Sequence, residues 1–166
     1  MLLWFLGTSA IAVWFVFRDD GFDYRVLFLG ALLPDMVDIA TGGAWVMHSV
    51  TASVLLLAGV MALARRGSSR RRRWLALPIG TFLHLVFDGA FNNTRVFWWP
   101  FTGGDFGGAS IPSLDRLPLD IAMEIAGAVM LWWLWRTNEL SDPVARARFV
   151  RTGRLVGGTD RQVGRC

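Results

Sequence analysis

The apolar residues of this chain arrive in five long blocks: Met1 to Phe17, Arg25 to Thr41, Trp45 to Ala64, Trp74 to Phe91 and Leu119 to Trp135. A helix needs roughly 20 residues, with a range of about 17 to 25, to cross the hydrocarbon core of a bilayer. Each block comes close to that length. None shows the alternation of a barrel strand, so helices are the only spanning element available. The expectation is an all-α polytopic bundle of about five transmembrane helices over residues 1–135, with a basic tail over 136–166. Pro34 and Pro78 fall inside the second and fourth blocks, where kinks or breaks are expected. The first block lacks the positively charged start of a secretory signal and is read as an uncleaved helix. The sequence contains no internal repeat.

Charge gives the orientation. The formal net charge is +4, all 17 basic residues are Arg, six of them lie between Arg65 and Arg73, and seven follow from Arg136 onward. Arg clusters flanking apolar blocks are what the positive-inside rule produces, which favours membrane lipid over nucleic acid as the partner. Placing residues 65–73 in the cytoplasm puts Arg18, Arg25 and the tail there too, with the N-terminus outside and the C-terminus cytoplasmic. The outer loop is then 92–118. Its Phe97-Trp98-Trp99-Pro100-Phe101 run suits headgroup depth, and Trp132, Trp133 and Trp135 form the matching inner belt. The tail has no sustained apolar face and is expected to be mostly disordered. Within it, Pro143 to Val156 is able to rest on anionic lipid. A single Cys166 excludes an internal disulfide and a Cys-based zinc cluster.

Ionisable side chains inside spans are costly and need partners. Asp35 and Asp38 lie late in the second block, His48 early in the third, His84 and Asp88 late in the fourth, and Asp120 and Glu124 early in the fifth. With the orientation above, all of them fall toward the outer face. Asp35/Asp38, His84/Asp88 and Asp120/Glu124 each share a helix face through three- or four-residue spacing. Such pairs can grip a metal ion. Two His with several carboxylates suit zinc, manganese or iron better than calcium or magnesium. Plainer roles exist for each. Asp120 and Glu124 complement a helix N-terminus, Asp35 marks a break after Pro34, His48 beside Ser49 serves as a cap, and His84 with Asp88 forms an internal hydrogen bond.

In order along the chain, Leu33-Pro34-Asp35 with Asp38, His48-Ser49, His84 with Asp88, and Trp99-Pro100-Phe101 resemble the membrane-bound metal-dependent hydrolases. That inner-membrane family is related in pattern to zinc-dependent phospholipase C. The likeness covers roughly residues 25–101. It implies a bacterial inner-membrane location, a metal surrounded by Asp35, Asp38, His48, His84 and Asp88, and hydrolysis of a phosphoester or lipid bond. In this scheme Asp38 or Glu124 accepts a proton from water. Family members commonly carry a His-Arg pair shortly before the position of His48, whereas this chain reads Gly42 to Met47 there, and Leu83 replaces a serine. A ligand of the family pattern is therefore absent, and a complete two-metal site is not expected. The other class left open is a non-catalytic membrane protein in which the same cluster binds an ion structurally or belongs to a proton path. Substrate and oligomeric state do not follow from these residues.

Overall fold

Small residues set how closely the helices approach. The computed structural model describes residues 1–17, 21–41, 46–103 and 117–155, and the regular structure among them is entirely helical. The helices are α1 (Leu2–Val16), α2 (Tyr24–Thr41), α3 (Val50–Leu63), α4 (Ser69–Phe87), α5 (Thr94–Phe97), α6 (Leu117–Thr137) and α7 (Pro143–Thr152). Short 3-10 turns cover Val46–His48 and Ala90–Asn92.

Three long helices contact α4, namely α1, α2 and α3, while α6 packs along α1. The α2–α4 contact is backbone to backbone: a Cβ on Gly30 would strike the carbonyl of Leu77, and one on Gly80 would strike that of Leu27. At the α1–α6 crossing, a Cβ on Gly7 would lie 2.6 Å from the Gly127 carbonyl oxygen. Close approach of this kind gives dispersion and polar contacts without needing water to drive association.

Pro34 adds a second tie between α2 and α4. Lacking an N–H, it leaves the carbonyl four residues earlier, Gly30 O, without its helical donor. Thr81 Oγ1 on α4 donates to that oxygen at 3.1 Å.

The two ends of the bundle differ in chemistry. At one end, α2 begins, α4 begins and α6 finishes around Asp23. The Asp23 carboxylate accepts from Arg25 Nε at 3.1 Å and Nη2 at 3.0 Å, and pairs with Arg73 Nε at 2.9 Å. Arg25 Nη1 also donates to Val150 O at 2.6 Å, and Tyr24 N–H donates to Gly153 O at 2.8 Å. These bonds clamp α7 to the start of α2. Gly153 closes α7 with φ 73°, and a Cβ there would collide with the Asp23 carboxylate, so glycine serves both the turn and the contact. Burial of Asp23 works to raise its carboxyl, but the hydrogen bond from Arg25 and the charges of Arg25 and Arg73 prevail and hold it below the ordinary value.

Several expectations change here. Of the five anticipated spans, only α6 is both long and apolar enough to cross a membrane by length and composition, among the described residues. Helices α1 and α3 are shorter than their blocks. Ser49 caps α3 by accepting from Ala52 N–H at 3.2 Å, which leaves His48 outside the helix in the preceding turn. Conversely, Ser68 caps α4 through Arg71 N–H and draws Arg70 to Arg73 into its first turns. The fourth block does not stay helical to Phe91, because α4 ends at Phe87. The tail is not structureless: α6 runs to Thr137, α7 is a capped helix, and Asn138, Leu140 and Leu155 are buried. Residues 18–20, 42–45, 104–116 and 156–166, parts of the first loop, third block, outer loop and tail, lie outside the described residues.

Candidate metal centre

At the other end of the bundle, α2 delivers Asp35 and Asp38, the turn before α3 delivers His48, and α4 delivers His84 and Asp88. His84 is fully buried, with Phe5 of α1 packed on its ring at 4.0 Å between centroids. Its Nδ1–H donates to Ala31 O at 2.7 Å. A carbonyl can only accept, so this bond fixes the proton on Nδ1 and leaves Nε2 with a free lone pair in the neutral ring.

The His84 lone pair points into a crowded space. His84 Nε2 lies 3.3 Å from His48 Nε2 and 3.4 Å from Asp35 Oδ1. His48 Nε2 lies 4.0 Å from Asp35 Oδ1 and 3.8 Å from Asp88 Oδ2. On its other edge, His48 Nδ1 is 3.0 Å from Asp38 Oδ2, an ion-pair contact with the oxygen off the ring N–H direction.

Neutral histidines do not satisfy this arrangement. If His48 carries its proton on Nδ1, facing Asp38, two lone pairs meet across 3.3 Å. If it carries the proton on Nε2, a lone pair faces the Asp38 carboxylate instead. Either tautomer leaves acceptor against acceptor, which a low-dielectric interior penalises strongly. One additional positive charge, as a proton or a metal ion, removes the conflict. Three carboxyl groups around two imidazoles form a mixed oxygen and nitrogen donor set of the kind that holds a metal ion.

The spacing fits such an ion. Donors placed tetrahedrally at zinc–nitrogen and zinc–oxygen lengths stand about 3.3 Å apart. The His84–His48 and His84–Asp35 separations match this, the His48–Asp35 separation of 4.0 Å is wider, and one donor atom from each of the three lies within 4.8 Å of the others. An Asp35–His48–His84 group able to hold a metal ion, with both imidazoles buried and Asp35 part-exposed, is thus present. Asp88 is the next nearest donor, through His48.

The remaining sequence candidates occupy other places. Asp38 stands behind His48, on the ring edge opposite the shared space. Metal-ligating histidines commonly have their second nitrogen held by a carboxylate or carbonyl, which is how Asp38 and Ala31 O sit here. Glu124 is committed to α1: its Oε2 accepts from Leu3 N–H at 2.9 Å, and Oε1 lies 3.5 Å from the Met1 amino group. Asp120 occupies the first turn of α6. Sequence reasoning missed Ala31, whose contribution is a backbone oxygen, and Phe5, whose apolar ring carries no motif.

The aromatic segment borders the centre. Thr51 Oγ1, at the second residue of α3, donates to Trp99 O at 2.6 Å, and α5 touches the His48 turn. Phe101 and Trp98 are exposed there. Comparisons with protein-family models, curated proteins and solved structures give no match.

Proposed function

We propose that this protein is a multi-pass membrane hydrolase using one divalent cation, zinc before manganese or iron, to cleave a phosphoester or similar bond near the outer surface. The observation that carries the reading is the pair of Nε2 atoms 3.3 Å apart beside Asp35, three donor atoms close enough to share one ion.

Support for the membrane part comes from the distribution of side chains. Thr8, Ser9, Ser53, Thr81 and His84 are buried, while Ile121, Ile125, Val129 and Trp132 of α6 form a stripe in which each is more than half exposed. Large apolar groups outside and small polar groups inside suit a lipid solvent. The metal-centre end is acidic and the Asp23 end is rich in Arg, in keeping with an N-terminus outside and a C-terminus in the cytoplasm.

His84, His48 and Asp35 would hold the cation, with Asp88 as a fourth donor. A cation bound there supplies Lewis acidity toward an ester oxygen and makes water acidic enough to attack at neutral pH. Ala31 O and Asp38 hold the two rings in register. Asp38 stays outside the ligand set, behind His48, and acts through the position of that ring rather than on the attacking water. Asp35 is 42% exposed and Asp88 27%, so the solvent side is formed by carboxylates while the imidazoles close the back. That open side favours catalysis over a closed structural site.

Elemental analysis of detergent-purified wild type, His84→Ala and Asp35→Ala is the test. About one metal ion per chain is expected in wild type, and loss in both variants. Equal metal in all three would discard the centre. Metal without turnover of any phosphoester would make it a structural or ion-binding site.

A further inference from the structure

Helix α7 is tied at both ends and lightly packed between them. None of its 10 residues is buried. Its start follows Ser141, whose hydroxyl accepts from Trp135 Nε1 at 3.1 Å. Its close, Gly153, accepts from Tyr24 N–H beside Asp23, the partner of Arg73. Trp135 near the end of α6 and Trp74 next to Arg73 are both exposed, as is Trp132 beneath the guanidinium of Arg136. Exposed tryptophans mark the depth at which hydrocarbon gives way to headgroups. A helix about 15 Å long, pinned at both ends to residues of that belt, runs along its level.

The two sides of α7 differ. Phe149 turns to the bundle, against the cluster that holds Phe22, Leu140 and Leu155. At 3.6 residues per turn the far side carries Val144, Ala147, Val150 and Arg151, with Arg146 and Arg148 along its two edges. Val144 and Val150 are 75% and 64% exposed. Valine adds nothing to a helix that faces only water, whereas apolar residues framed by arginine are the pattern of a helix lying in a membrane interface.

The charge of this end is unmatched. Asp23 is taken by Arg25 and Arg73, and Asp142 by the N–H of Ala145 at the start of α7. Arg146, Arg148, Arg151 and Arg154 are exposed and form no ion pair among the described residues. Arg70 to Arg72, in the first turn of α4, form none either. Guanidinium groups without carboxylates, at headgroup depth, complement phosphate.

We infer that the far side of α7 is a binding surface for anionic phospholipid, with Arg146, Arg148 and Arg151 on headgroup phosphates and Val144 and Val150 at the acyl boundary. This rests on the membrane part of the reading above and makes no use of the metal centre. A nucleic acid would engage the arginines and leave the valines and the tryptophan belt without a role.

The test places the full-length protein in lipid nanodiscs, either pure phosphatidylcholine or roughly one-third phosphatidylglycerol, and follows hydrogen exchange of α7. Exchange is expected to slow by about tenfold or more in the anionic discs. Changing Arg146, Arg148 and Arg151 together to Gln should abolish that difference, at about fivefold for each arginine. The same three changed to Lys should restore most of it. Val144→Ser with Val150→Ser should reduce it by a few-fold, about the effect of losing two small apolar contacts. Exchange of α2 and α4, unchanged in every variant, separates loss of lipid from unfolding. Equal exchange of α7 in both discs, or a Gln variant that behaves as wild type, overturns the inference. So does equal protection by free glycerol 3-phosphate or by a single-stranded oligonucleotide in phosphatidylcholine discs. A chain that stays out of discs, pellets with phosphatidylglycerol vesicles and is released by about 0.5 M salt would remove the multi-pass reading and keep this surface. Neither entry nor pelleting removes both.

Discussion

The Nε2 atoms of His48 and His84 face each other across 3.3 Å, one anchored from behind by Asp38 and the other by the carbonyl of Ala31. This symmetry predicts graded effects. Asp38→Asn keeps the donor atoms and removes the charge that steadies His48, so zinc affinity should fall about 10–100-fold. His84→Ala removes a donor and should abolish binding. A chelator-competition titration reads both, and wild-type affinity in Asp38→Asn would remove Asp38 from the assembly.

Backbone contact between α2 and α4 predicts an asymmetry among glycines. Gly30→Ala and Gly80→Ala drive a methyl group into a facing carbonyl and should destabilise the bundle by about 1–3 kcal/mol. Gly59→Ala, with nothing within 4 Å, should be neutral or stabilising by about 0.5–1 kcal/mol. Unfolding midpoints in mixed micelles order the three. An equal response at positions 30 and 59 would contradict the packing.

Acid should release α7 late. The folded Asp23 carboxyl titrates below its ordinary 3.8, so the clamp contributes fully above that value and is lost as pH falls through the lower, folded one. Tryptic cleavage at Arg146 to Arg154, or hydrogen exchange of α7, should stay protected to below the usual carboxylate range. Asp23→Asn should expose α7 at neutral pH. Protection that disappears near pH 6 in wild type would assign the docking to some other group.

Orientation is open to direct labelling. In a Cys166→Ser background, a cysteine replacing Phe97 should react with an impermeant maleimide added to intact cells. Native Cys166 should react only after permeabilisation. The reverse pattern would invert the topology and place the centre on the cytoplasmic side.

How far the sequence reaches depends on whether a signal is local. Bounds of α2 were legible because an apolar run ends where Gly42 and Gly43 begin. The convergence of Asp35, His48 and His84 was legible from helix spacing and charge asymmetry. His48 was misplaced into a helix because Ser49, a strong capping residue, outweighed the apolar run around it. For the tail, overall polarity hid a complete set of local marks: Asp142 as cap, Pro143 in the first turn and Gly153 at the close. The role of Ala31 and the partner of Glu124 were beyond reach for another reason. One acts through a main-chain oxygen, and the other binds a backbone amide 121 positions away.

Pro34 has a consequence for assembly. A helix whose carbonyls are all engaged internally can roll about its long axis against a neighbour at little cost. With Gly30 O held by Thr81 and Ala31 O held by His84, α2 presents two adjacent notches that α4 engages at a single azimuth. The imidazole of His84 is thereby aimed before any ion arrives, with Pro34 supplying the free Gly30 carbonyl that Thr81 grips three residues before it.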